Sequence, residues 1–117
     1  MNTPVTPEQL VNSFTIGNQN DPRVETLADG SYVIVWVSEA QDGNLAGIFA
    51  QRYSAQGERI GTQLLVNDTA VEIQQDPSIA ATEDGGFVIV WESRNQDQPG
   101  SFDFGVYGQR FDATGAR

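Results

Sequence analysis

The chain has 117 residues, enough for one modest core, and contains neither cysteine nor histidine. Disulfides, cysteine-containing zinc sites, thiol nucleophiles and the usual general base near neutral pH are therefore excluded. Six basic residues against sixteen acidic ones give a net charge of -10, which repels nucleic acid and anionic membranes and favours cations, basic partners or neutral ligands such as sugars.

In chain order, residues 1–8 are polar and marked by Pro4 and Pro7, so they read as a tail and not as a secretory signal. The chain then either stays inside the cell or is a segment, natural or engineered, of a longer secreted protein. No apolar run approaches the roughly 18 residues that cross a bilayer, so membrane insertion is not expected. Gln9-Leu10-Val11-Asn12 resembles Leu64-Leu65-Val66-Asn67, 55 positions later, and reads as a strand standing ahead of the first complete repeat.

Four strands follow: near Pro22 to Leu27, Tyr32 to Ser38, Ile48 to Tyr53, and Arg59 to Asn67. Val33-Ile34-Val35-Trp36 is β-branched, ends in an aromatic and is too short for a helix; its continuous apolarity predicts cover on both faces. Asp29-Gly30 and Ser54-Ala55-Gln56-Gly57 mark hairpins, with glycine supplying the positive φ of a tight turn.

The pattern then recurs. Asp76-Pro77 repeats Asp21-Pro22, and Asp84-Gly85-Gly86-Phe87-Val88-Ile89-Val90-Trp91 repeats Asp29-Gly30-Ser31-Tyr32-Val33-Ile34-Val35-Trp36, both 55 positions apart. Gly105-Val106-Tyr107-Gly108-Gln109-Arg110-Phe111 repeats Gly47-Ile48-Phe49-Ala50-Gln51-Arg52-Tyr53 at 58, so the second copy carries a longer loop. Repeat one spans 9–67, including its preceding strand, and repeat two spans 68–117.

Four antiparallel strands in about 55 residues is the size of a propeller blade. The alternative is a duplicated sandwich or barrel. On the blade reading the chain has a spare fourth strand at its start and lacks one at its end, where Arg117 aligns with Arg59. Open sheet edges are hazards that closure removes, and head-to-tail pairing forms a ring when the rotation allows. The expectation is an all-β chain of two four-stranded blades. It closes by strand exchange into a six-bladed homotrimer or an eight-bladed homotetramer.

The residues Asp-Pro-x-Val/Ile, Asp-Gly-x-Tyr/Phe-Val-Ile-Val-Trp and Gly-Ile/Val-x-x-Gln-Arg-Tyr/Phe-x-Ala-x-Gly resemble tandem repeats of large bacterial secreted and surface proteins. The resemblance covers nearly the whole chain past Gln9. It implies propeller blades, an extracellular or cell-surface parent protein, frequent company of calcium-binding repeats, and no catalytic residues.

The longer connections, Ser13 to Asn20, Glu39 to Ala46, Asp68 to Gln75 and Arg94 to Phe104, fall on one rim of such a blade and form the candidate ligand face. There Asp42, Asn44, Asp97 and Asp103 offer hard oxygen donors suited to Ca²⁺, although the alternating calcium-loop pattern is absent; turn formation is the competing explanation. Phe102 and Phe104, beside Asp103, suit a glycan or simply plug the loop onto the blade. Trp36 and Trp91 read as packing between blades. Arg52 and Arg110, with Asp21 and Asp76 as proposed partners, read as structural ion pairs. Asp29 and Asp84 read as turn formers. A self-assembling, non-enzymatic scaffold needing no cofactor is the leading expectation. A carbohydrate- or calcium-binding module is the alternative, and a glycoside hydrolase built on paired carboxylates comes last.

Overall fold

The computed structural model describes residues 8, 10–11, 19–38, 47–66, 74–94 and 104–117, with the backbone alone at 94 and 104. Every regular element among them is a β-strand. β1 (Gln19–Thr26), β2 (Tyr32–Ser38), β3 (Gly47–Tyr53) and β4 (Arg59–Leu65) form one antiparallel sheet in that order. β5 (Gln74–Ala81), β6 (Phe87–Arg94) and β7 (Phe104–Phe111) form a second, also in sequence order.

The tight connections are alike in detail. In each, a three-residue loop closes with two backbone hydrogen bonds, as in Gly30 N–H to Leu27 C=O (3.1 Å) and Leu27 N–H to Ser31 C=O (2.7 Å). The last loop residue is Gly30, Gly57, Gly85 or Gly115, at φ of 90°, 90°, 89° and 87°. A type I turn followed by a left-handed residue is the usual three-residue hairpin, and glycine adopts that φ without steric cost.

β1 and β5 each begin earlier than Asp-Pro suggests as a boundary, because each carries the dipeptide inside a bulge. The register slips between Asn20 and Arg23, and again between Gln75 and Ser78. Asp21 and Asp76 take φ of 53° and 52°, the positive-φ non-glycine residues among those described. Aspartate tolerates the left-handed region, and a bulge on an edge strand is one of the few places where a residue without an N–H fits a sheet.

Alternation along the strands gives each sheet two unlike faces. One carries the tryptophan: Tyr32, Ile34 and Trp36 in the first sheet, Phe87, Ile89 and Trp91 in the second. The other carries valine: Val33, Val35 and Val37 in the first, Val88, Val90 and Glu92 in the second. The core is a cluster in which Val33, Val35, Val37, Ile48 and Ala50 of the first sheet meet Phe87, Ile89, Trp91 and Phe111 of the second. The valine face of the first sheet thus lies on the tryptophan face of the second. Each aliphatic side chain sealed there contributes about 1.5–3 kcal/mol. Two cross-strand ring pairs sit at matching places, Tyr32 on Tyr53 at 5.2 Å and Phe87 on Phe111 at 4.8 Å.

Candidate assembly site

The sequence candidates distribute unevenly over the fold. Asp42, Asn44, Asp97, Phe102 and Asp103 lie outside the described residues. Phe104 opens β7, its backbone opposite Arg94. Among the described residues no cluster of three or more carboxylates could hold a metal ion.

Each tryptophan is buried and donates its indole N–H to a glutamine at the start of the neighbouring edge strand. Trp36 Nε1 reaches Gln19 Oε1 at 3.1 Å, and Trp91 Nε1 reaches Gln74 Oε1 at 3.0 Å. The sequence reading missed Gln19 and Gln74, although their 55-residue spacing would have found them. It also passed over Gln51, whose fully buried amide donates to the carbonyls of Arg52, Ile60 and Gly61 and so ties β3 to the bulged start of β4.

The proposed ion pairs of Arg52 with Asp21 and of Arg110 with Asp76 are not formed. The Asp-Pro bulges stand beside Trp36 and Trp91, whereas both arginines sit at the hairpin end, opposite Val33 and Val88. That is about three residues, or roughly 10 Å, along the strands. Arg110 Nη2 instead donates to Asp84 Oδ2 at 2.7 Å. Arg52 crosses to the second sheet, where Nη2 donates to Ala113 C=O at 3.2 Å. Its side chain lies over the last turn, so closely that a Cβ on Gly115 would come within 2.9 Å of Arg52 Cδ.

The turn carboxylates are engaged locally. Asp84 is drawn down from 3.8 to about 2 by the Thr82 hydroxyl, then the Gly86 N–H and the Arg110 guanidinium. Asp29 is lowered by the Ser31 hydroxyl and N–H. Asp112 is lowered by the Thr114 hydroxyl, with the Ala116 and Thr114 N–H groups behind it. Each stays anionic across the physiological range. A carboxylate that already accepts this many hydrogen bonds from its own turn is a turn brace.

A groove of about 230 Å³ lies on the tryptophan face of the first sheet, the face turned away from the second sheet. Ile34, Trp36, Pro22 and Gln19 form its floor, and Leu10 and Val11 form one wall. Arg59 fixes that wall, donating from Nη2 to Leu10 C=O at 2.6 Å and to Val11 C=O at 2.9 Å. The same contact occurs one repeat later: Arg117 donates to Leu65 C=O at 3.1 Å and to Val66 C=O at 3.5 Å. Leu10 and Val11 therefore stand to the first sheet as the end of the β4 segment stands to the second.

At the opposite end of the molecule, the valine face of the second sheet is uncovered. Val106 is 76% exposed and Val90 39%, whereas their counterparts Ile48 and Val35 in the first sheet are both 0%. The tryptophan faces differ in the reverse sense. Val24 of the first sheet is 63% exposed, while Ile79 of the second packs on the core, and exposed Pro22 corresponds to fully buried Pro77. Comparisons with protein-family models, curated proteins and solved structures returned no match to this chain.

Proposed function

We propose that the chain is a non-enzymatic assembly module: two blades of a β-propeller that closes with further copies of itself, as a six-bladed trimer or an eight-bladed tetramer. The observation that carries this reading is the asymmetry of its two ends. One end is an uncovered valine face, the other a grooved tryptophan face, and the same two kinds of face already meet inside the chain. An interface whose two sides differ propagates head to tail and closes when the rotation per unit divides the circle. Apolar surface left open at both ends favours association, and adjacent exposed aliphatic side chains on a sheet are typical of such contacts.

A groove lined by Trp36, Gln19 and Asn20 would also suit a sugar. The corresponding face of the second sheet is covered by aliphatic side chains of the first, which favours a protein occupant over a sugar. The mass in solution, by light scattering on the intact chain, is the test. A trimer or tetramer is expected at physiological salt. A well-folded monomer at every accessible concentration would return the reading to a self-contained two-sheet sandwich.

A further inference from the structure

Resting on that assembly reading, we infer that the groove at Trp36 is the receptor for Val106 and Val90 of a second copy, and that Leu10 and Val11 pair with the outer edge of that copy's β7. The chain's own inter-sheet contact is the template, position by position.

Inside the chain, Ile48 and Val35 enter the core formed with Ile89 and Trp91. Shifted by one repeat, the entering residues become Val106 and Val90, the two large apolar side chains left open on β7 and β6. The receiving residues become Ile34 and Trp36, the floor of the groove. Both halves of the contact are thus present on one molecule, at opposite ends and out of reach of each other.

The backbone supplies the register. β4 pairs with β3 so that Leu65 stands opposite Phe49, and Val66 N–H donates to Ile48 C=O at 2.8 Å. One repeat on, Leu10 stands opposite Tyr107 of the second copy, and Val11 N–H donates to its Val106 C=O. The β7 edge takes up this strand as sheets commonly accept an added segment. Arg59 has already oriented the carbonyls of Leu10 and Val11, so part of the ordering cost of the contact is met before docking.

A polar contact follows by the same shift. Arg52 lies over Gly115 and donates to Ala113 C=O. Arg110 of the second copy would lie over Gly57 of the first and donate to its Ala55 C=O. Among the described residues other than its chain neighbours, a Cβ at Gly57 would meet the Tyr32 hydroxyl at 3.5 Å and nothing else within 4 Å.

The experiment combines surface charge with cross-linking. Val106→Asp and Val24→Asp alter exposed positions on the two opposite end faces, so both should keep the wild-type circular dichroism while running as monomers, with a melting temperature that no longer rises with protein concentration. Thr62→Asp, at an exposed position of β4, the last strand of the first sheet, should leave the assembly intact. The chain has no cysteine, so Leu10→Cys and Tyr107→Cys can be introduced singly. Cα atoms of directly opposed strand residues are about 4.5–5.5 Å apart, within disulfide reach. Mixed under oxidant, the two variants should yield the hetero-linked dimer, and the doubly substituted chain a ladder ending at three or four subunits. A wild-type assembly that survives Val106→Asp, or that links Leu10→Cys to itself, would overturn the inference and leave the assembly module standing. A monomeric wild type would overturn both.

Discussion

Gln51 and Gln109, and likewise Arg52 and Arg110, occupy matching places in sheets built from one repeat, yet the two members of each pair behave differently. Gln51 is sealed and spans three carbonyls between β3 and β4. Gln109, half-buried on the edge strand β7, reaches the Arg110 carbonyl at 3.3 Å. Arg52 crosses to the neighbouring sheet, while Arg110 folds back on Asp84 in its own. The residues are the same, and so are the local strand and turn geometries. What differs is the presence of a fourth strand beside one glutamine and of a second sheet beyond one arginine. In a repeat protein a side chain's role is completed by the next unit, and the outermost unit shows the role unfilled.

The largest test of this comparison is the tryptophan pair. Trp91 belongs to the core between the sheets, so Trp91→Ala should cost about 3–5 kcal/mol in chemical denaturation. Trp36 is equally buried but lies outside that cluster and lines the groove, so Trp36→Ala should cost the isolated chain less. Equal losses would mean that the two tryptophan faces are equally supported, and the contrast between the ends would collapse.

Glu92 sharpens the comparison at the association step. Its counterpart Val37 is buried against the second sheet, while Glu92 is half-buried and accepts a hydrogen bond from Gln75 at 3.1 Å. Docking that face removes a carboxylate from water, which opposes burial. Glu92→Val restores the internal version of the contact and should lower the dissociation constant by about 10-fold or more, since burying one valine contributes about 1.5–3 kcal/mol. Sedimentation at a series of concentrations reads this directly, and an unchanged constant would place position 92 outside the contact.

The smallest expected effect concerns acid. Asp84, lowered from 3.8 to about 2, binds its proton more weakly folded than unfolded. Its contribution to stability is therefore complete above about pH 3.8 and lost as pH falls through about 2. Asp84→Asn should flatten that part of the acid-denaturation curve. Because the site is exposed, the change will be modest and should shrink further at high salt. A curve as steep as the wild type's would show that the Arg110 and Thr82 contacts do not hold the carboxylate in solution.

Much of the fold was legible because its signals are local. The β-branched runs before Trp36 and Trp91, the glycines that end each tight loop, and the 55- and 58-residue offsets predicted β2, β3, β6 and the hairpins with little error. The Asp-Pro dipeptides misled in two ways. They read as strand starts and as carboxylate partners for arginine, whereas the chain runs on through them as bulges. A bulge depends on the register with the neighbouring strand, which composition does not display. Gln19 and Gln74 were legible in principle, since they extend the repeat by one residue, but an amide carries no signal until the indole N–H it serves is known to be buried.

By itself the sequence determined strand order, turn type and the duplication, because propensity, alternation and positive-φ glycines act over a few residues. Only the tertiary structure decided which face of each sheet is covered. Val35 and Val90 are the same residue in the same local sequence, and one is sealed while the other meets solvent. Burial is a property of what lies about 10 Å away across the sheet-to-sheet gap. For Val35 that neighbour is the second sheet. For Val90 no such neighbour stands among the described residues, and its side chain is 39% exposed.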